Sequence, residues 1–317
     1  MNKKGFEFSF GWLFAILVGS VIIFLAIYAA VRLISTERTV LDTETAQQLS
    51  TILTPIETGT ELSRTVAPIN FPSETRIYNN CTTDGNFGEQ TIAVATSSGI
   101  GRKWQEPGIN VKSYNKYIFS PEMMQGKQFY IFSKPFSMPF KVANVLFMWT
   151  DEYCFVNPTN EITDELTSLN LTRINITISL NNCNKNSKKV CFYTEEPACD
   201  IMVNPTLKSV LWRGKQPVFY EGSLIYGAIF AEPEVYECQV KRLMKRTSEL
   251  AFLYNSKSEI ISAKTGGCSS NLQEDLTSFA TTSSGINNSR QLNDLYFNAE
   301  LLKNENEQIT TCRLWED

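Results

Sequence analysis

The chain contains no histidine among its 317 residues. Histidine is the usual general base near neutral pH and a common zinc ligand, so its absence excludes Ser-His-Asp and Cys-His catalysis and histidine-ligated zinc. The sequence also lacks a G-x-x-x-x-G-K-[ST] phosphate loop, a G-x-G-x-x-G fingerprint and any C-x-x-C pair. Its net charge of −4 does not favour nucleic acid as a partner. We therefore expect a protein that is not an enzyme and that holds no cofactor and no metal ion.

Two weak catalytic patterns are present. Residues 113–116, 168–170 and 264–266 match S-x-x-K, S-x-N and K-T-G in the order of penicillin-binding proteins, in which the serine is acylated. The first motif should begin a helix, yet SYNKYIFS is typical of a strand, and the third should lie on a strand, yet here it ends a helical pattern. Acidic pairs such as Asp151-Glu152, Glu195-Glu196 and Glu232/Glu234 could act on sugars, but such pairs are commoner on solvated surfaces. A membrane-tethered hydrolase is the least favoured reading.

A long apolar run lies near the start of the chain. From Phe8 to Val31 no side chain is charged, and 24 residues span about 36 Å as a helix, enough to cross a hydrocarbon core of about 30 Å. A cleavable signal has a shorter apolar core of about 7–15 residues. We predict a cytoplasmic leader over 1–7 and a transmembrane helix over 8–31, in contact with the lipid bilayer. Lys3 and Lys4 favour a cytoplasmic N-terminus.

Cysteines and glycosylation sequons favour an outside location for the rest of the chain. An even number of cysteines suits an oxidising compartment, and N-x-S/T sequons suit a glycosylated surface. We therefore predict a single-pass cell-membrane protein with an extracellular ectodomain. The cysteines are Cys81, Cys154, Cys183, Cys191, Cys199, Cys238, Cys268 and Cys312, and the sequon asparagines are Asn80, Asn170, Asn175 and Asn287.

One face of the apolar run carries small residues. Gly11, Ala15 and Gly19 recur at i+4 spacing, a pattern that lets membrane helices approach closely. The spacing predicts self-association through this face, or contact with other surface proteins.

The stretch Lys3-Lys4-Gly5-Phe6 before an apolar helix resembles the leader of type IV pilin-like proteins. The resemblance implies cleavage between Gly5 and Phe6 and packing of the exposed helix in a filament core. This chain departs from the bacterial pattern, which has glutamate as the fifth residue after the cleavage site. Here the fifth residue is Phe10, and the glutamate is the second residue, Glu7. Further stretches resemble an uncharacterised group of single-pass surface proteins from small-genome archaea: KKGFEFSFGWLFAI, YNKYIFS, FSKPF, YECQVKRLMKR and GCSSNL. That resemblance implies an anchored ectodomain and no known activity.

The remaining sequence predicts an α+β protein. Residues 32–55 continue the helix as a stalk, residues 70–231 form a β-rich, disulfide-bonded ectodomain, and residues 232–317 form a C-terminal helical unit. The predicted strands are rich in β-branched and aromatic residues. They are TRIYN, QTIAVAT, KYIFS, QFYIFS, KVANVLFMW, TRINITISL and KVCFYT.

Three pairings of cysteines are considered. Cys183 and Cys191 flank the polar segment 181–189, so a disulfide across a hairpin is our first choice, with Cys191–Cys199 as the alternative. Cys238 and Cys312 would meet if the first and third C-terminal helices are antiparallel. The basic residues Lys241, Arg242, Lys245 and Arg246 are predicted on a solvated helix face, with a docking patch for an anionic glycan or a partner subunit as the alternative.

These features favour a non-enzymatic structural or adhesive surface component. The alternative is a singly anchored module that binds a glycan or a protein through aromatic loops such as KPFSMPF, residues 134–140.

Overall fold

A computed structural model describes residues 10–58, 68–97, 104, 106–194, 196–265, 271–309 and 312–316. The predicted leader 1–7, with Gly5 and Phe6, lies outside the described residues, as does Cys268. The fold is mixed α/β: an N-terminal apolar helix, two sheets and a group of C-terminal helices. The helices are α1 Phe10–Thr58, α2 Asn160–Leu169, α3 Leu224–Phe230, α4 Pro233–Thr265, α5 Gln273–Ser284 and α6 Leu292–Gln308. The strands are β1 Ile69–Thr82, β2 Glu89–Thr96, β3 Val111–Ser113, β4 Ile118–Phe119, β5 Met123–Ser137, β6 Lys141–Trp149, β7 Tyr153–Val156, β8 Ile174–Thr177, β9 Lys188–Phe192, β10 Ile201–Asn204, β11 Ser209–Trp212 and β12 Val218–Phe219.

The helix α1 has two halves with different surroundings. Its first half is apolar and exposed, whereas its second half buries Asp42, Ala46, Leu49 and Leu53, which recur along one helical face. This face packs against Ile77, Ile92, Val94, Met124, Phe129, Leu146 and neighbouring side chains of the first sheet. The segment predicted as a stalk is therefore, from Asp42 onward, part of a hydrophobic core.

The first sheet has the strand order β3-β2-β1-β5-β6-β4. All its pairs are antiparallel except β4 with β6, and a bulge interrupts the β1–β5 pairing between Asn70 and Thr75. Side chains alternate between the faces of a strand, so β5 and β6 serve two cores at once. Ile131 and Met148 face α1, while Phe132 and Phe147 face the C-terminal helices.

The second sheet has the strand order β12-β11-β10-β9-β7-β8, with β8, β7, β9 and β10 parallel. One face, with Phe155 and Phe192, joins the main core, and the other carries three buried cysteines. Because β7 lies between β8 and β9, residues 178–187 cross over β7 and do not form a hairpin. The predicted Cys183–Cys191 disulfide is wrong for this reason.

Three disulfides join described residues. Cys154 on β7 pairs with Cys183, Cys191 pairs with Cys199, and Cys81 on β1 pairs with Cys238 on α4. The alternative pairing of Cys191 with Cys199 is confirmed, and the predicted Cys238–Cys312 pair is wrong because Cys238 is bonded to β1. Cys312 is also disulfide-bonded.

The start of α4 is fastened to the β1–β2 hairpin by three residues on one helical face: Cys238, Arg242 and Lys245. Beside the disulfide, the fully buried Arg242 donates to the carbonyls of residues 87, 113, 114 and 116 and to the Gln239 side chain. Lys245 Nζ donates to the carbonyls of Thr83 at 2.7 Å and Gly85 at 2.9 Å. The prediction of a solvated basic face is therefore wrong for Arg242.

The segment KPFSMPF is not an exposed aromatic loop. Phe136, Met138 and Phe140 are buried, and Phe140 packs against Tyr254 of α4 and Trp315 near the end of the described chain. The segment contributes its apolar side chains to the core that the strands share with the C-terminal helices. Lys134, at the start of the segment, lines a cavity that is described below.

Candidate functional site

The exposed half of α1 is the first candidate site. Phe10–Leu33 is a stretch of 24 residues, long and apolar enough to cross a membrane, with no residue buried in the fold. Within the described residues it is the one helix with these properties. Gly11 and Ala15 are exposed and Gly19 is partly exposed, so the predicted association face is uncovered.

A polar clamp fixes the globular part to α1 a short distance beyond this stretch. The carboxylate of Asp42 accepts hydrogen bonds from the hydroxyl of Thr96 at 2.8 Å and from its backbone N–H at 3.3 Å. Ile109 N–H donates to the Thr43 hydroxyl at 2.9 Å, and a Cβ added to Gly108 would lie only 2.7 Å from the Thr43 nitrogen. The chain after β2 thus contacts α1 at a point where only glycine fits.

The second candidate site is a cavity of about 320 Å³, which we call the α2–α3 cavity. It lies where β5, the N-terminal half of α2, the β10–β11 turn and the β12–α3 segment meet. Thr159 places α2 there by accepting a hydrogen bond from Ile162 N–H, as an N-cap residue does. The lining residues include Lys134, Glu161, Ile162, Glu165, Pro205, Lys208, Tyr220, Ile225 and Tyr226.

Two ion pairs order the polar wall of this cavity. Lys134 Nζ lies 2.5 Å from Glu165 Oε1, and the Tyr226 hydroxyl donates to the other carboxylate oxygen of Glu165. Lys208 Nζ lies 2.5 Å from Glu221 Oε2, and Glu221 is almost fully buried behind it. Each lysine is therefore held against a carboxylate that the fold keeps in place.

Burial sets the protonation states of the groups around the cavity. It raises the pKa of Tyr226, assisted by the hydrogen bond to Glu165, and it raises the pKa of Tyr220. Both phenols are therefore protonated donors at physiological pH. Burial also raises the pKa of Glu221, and the bond to Lys208 opposes this shift.

The four sequon asparagines are all exposed. Asn170 ends α2 in the left-handed conformation, and the side chain of Asn175 on β8 lies 3.9 Å from the Cys154 sulfur. The third position of the Asn287 sequon, Ser289, is fully buried and bonded to Glu237. Glycosylation at Asn80, Asn170, Asn175 and Asn287 stays a prediction.

The serine motifs lie on separate elements, and two of the acidic pairs contribute ion pairs; Glu195 and Gly266 lie outside the described residues. Ser113 ends β3, residues 168–170 end α2, and Lys264 lies in the last turn of α4, so the motifs occupy three separate elements. Lys116 is buried and donates to Thr54 of α1 at 2.7 Å. Asp151 pairs with Lys188 at 2.8 Å, and Glu234 pairs with Lys215 at 2.6 Å.

Sequence reasoning missed α2 and therefore the cavity. The signal was present: Thr159 precedes an acidic first turn, and Ile162 and Leu166 recur at i+4 spacing. This helical signal is short and lies between β7 and β8, in a region whose sequence is otherwise typical of strands. Compared with protein families, curated proteins and solved structures, the chain shows no significant match. The geometry alone therefore supports the proposals that follow.

Proposed function

We propose that the chain is a non-enzymatic, membrane-anchored cell-surface protein with a structural or adhesive role. In this proposal Phe10–Leu33 crosses the bilayer once, the N-terminus is cytoplasmic, and the globular part lies outside. The observation that carries the proposal is the continuity of α1: its apolar half, of which no residue is buried, runs without a break into a half that belongs to the core. Disulfides suit an oxidising compartment and support the outside placement.

The continuity of α1 favours a permanent anchor over a removable leader. A signal peptide ends in a short segment that the peptidase recognises beyond its apolar core. Here the residues after Leu33 remain helical to Thr58, and Asp42 is already clamped to Thr96. Epitope tags at the two ends test the orientation: on intact cells, an antibody should label the C-terminal tag and should reach the N-terminal tag only after permeabilisation. Labelling of the N-terminal tag alone on intact cells would show the opposite topology. Release of the protein into the medium would contradict a permanent anchor.

We also propose that the anchor self-associates through Gly11, Ala15 and Gly19, as a filament subunit would. Replacing Gly11 and Gly19 by leucine should weaken association in a membrane reporter assay, because the larger side chains separate the helix backbones. Ser20→Leu is the matched control, since it enlarges a small residue on the opposite helical face and should leave association unchanged. Equal effects of both changes would show that this face is not the contact.

A further inference from the structure

The α2–α3 cavity has no role in the anchoring or assembly proposed above. We propose that it binds a neutral sugar, one hexose unit of a glycan, whose hydroxyl groups hydrogen-bond to Lys134 and Glu165. The inference stands on the cavity alone and does not depend on whether α1 associates.

The size of the cavity suits this ligand. At about 320 Å³ it lies at the lower end of the range for small-molecule sites, which fits one or two sugar rings and excludes a folded macromolecule. Its walls come from four separate parts of the chain that the core holds together, so the site is formed before a ligand arrives.

The polar wall offers donors and acceptors side by side. A sugar hydroxyl is both a donor and an acceptor, so neighbouring hydroxyls are best met by an adjacent donor and acceptor. Lys134 Nζ and Glu165 Oε1 form such a pair at 2.5 Å, and the lysine ammonium has three N–H donors, of which this bond uses one. Tyr226 holds the second oxygen of Glu165, so the carboxylate stays oriented when a ligand binds.

The cavity is also lined by apolar side chains. Ile162, Pro205, Tyr220 and Ile225 line it, and Tyr220 presents an aromatic side chain that is mostly buried. A sugar ring has an apolar C–H face as well as its hydroxyls, and a site with apolar side chains and a few fixed polar groups orients such a ligand.

The charges of the lining favour a neutral ligand. Lys134 is paired with Glu165 and Lys208 with Glu221, so both ammonium groups of the lining are already neutralised. An anionic ligand would meet two carboxylates, and a cationic ligand would meet two ammonium groups. Because both ammonium groups are already paired, an anionic ligand gains no net electrostatic attraction, and a cationic ligand meets the Glu161 carboxylate beside two ammonium groups.

The test uses the full chain in phosphocholine nanodiscs, because alkyl maltoside detergents carry a sugar head group. Methyl glycosides of glucose, galactose and mannose are titrated by saturation-transfer difference NMR, with glucosamine as the cationic probe and glucuronate as the anionic probe. We expect one neutral glycoside to bind with a Kd of about 2 mM, as a ligand of this size allows.

Two variants locate the binding. Glu165→Gln keeps the shape of the side chain and its bond from Tyr226 but removes the charge, and it should weaken binding about tenfold. Lys134→Met should do the same by removing the donor. Glu234→Gln is the matched control, since Glu234 forms an exposed ion pair with Lys215 outside the cavity and its loss should leave the Kd unchanged. An unchanged thermal midpoint shows that each variant is folded.

Three results would overturn the proposal: no neutral glycoside binds at about 20 mM, tenfold above the expected Kd; only glucosamine or glucuronate binds; or Glu165→Gln binds as tightly as the natural chain. The first result would show that the cavity does not bind neutral sugars. The second would show that its ligand is charged, and the third would show that binding occurs outside the α2–α3 cavity. None of them bears on membrane topology, which the epitope tags test separately.

Discussion

Removal of the disulfide between Cys81 and Cys238 should destabilise the protein by about 5 kcal/mol. The bond closes a loop with a sequence separation of 157 residues. In the chain-entropy description, a loop of this length lowers the entropy of the unfolded chain by ~17 cal/mol/K, which is about 5 kcal/mol at room temperature. The two other disulfides that join described residues lie inside the loop and shorten its free length by 29 and 8 residues, which lowers this figure by only ~0.2 kcal/mol.

The measurement is urea unfolding of the Cys81→Ala/Cys238→Ala double variant in micelles, followed by tryptophan fluorescence. Trp149 is fully buried, so its emission reports loss of the core. Both cysteines are partly exposed, so the lost packing of their sulfur atoms is a small part of the effect. The dependence of the unfolding free energy on urea should also steepen, because the unfolded chain without the bond exposes more surface.

The matched control is Cys191→Ala/Cys199→Ala, whose loop has a separation of only 8 residues. Its entropic contribution is about 2.5 kcal/mol, and its urea dependence should be nearly unchanged because so short a loop barely compacts the unfolded chain. If the Cys81/Cys238 variant lost less than about 2 kcal/mol with no steeper urea dependence, loop closure would not be the source of stability.

Two further predictions concern buried polar groups. Arg242→Met should lower the free energy of unfolding in urea by about 3–5 kcal/mol, because it leaves buried backbone carbonyls without donors. The control Lys241→Met changes a partly exposed neighbour and should lower it by less than about 0.5 kcal/mol. Equal effects would contradict a role for the carbonyl contacts. Burial raises the pKa of Tyr153 from 10.0 to about 12, so the neutral phenol stabilises the fold fully below about pH 10, and about 2–3 kcal/mol is lost as the pH rises to about 12. Tyr153→Phe should flatten the fall in stability over this range, and an unchanged pH dependence would contradict the assignment.

Local patterns in the sequence predict much of the fold. All seven predicted strands overlap observed ones, because alternating apolar residues and β-branched side chains are typical of a strand that is buried on at least one face. The long helix from Pro233 and the later two helices also follow from apolar periodicity and from Pro233, which suits the first turn of a helix. Each of these strands and helices can be predicted from its own residues, without knowing which other segments it packs against.

The errors concern relations between segments. The Cys183–Cys191 pair assumed that strands close in sequence form a hairpin, but β7 separates them in a parallel arrangement. Charge alone predicts a solvent-exposed Arg242, whereas the structure buries it against backbone carbonyls of residues 87, 113, 114 and 116, which lie far from α4 in the sequence. The α2–α3 cavity combines residues from position 134 to position 226, and no local pattern predicts that they meet.

The bond between β1 and α4 also sets how the molecule transmits mechanical force. A load that enters through α1 reaches β1 within the first sheet and then crosses covalently to α4, bypassing the segment between Cys81 and Cys238. The two inner disulfides hold back 29 and 8 of these 157 residues, and the rest would add about 400 Å of contour length if they were pulled straight. In the oxidised chain this length cannot be released, so the protein, if anchored as proposed and pulled from its far end, would extend only through the parts outside the loop. Reduction of one disulfide would turn a short tether into a long one.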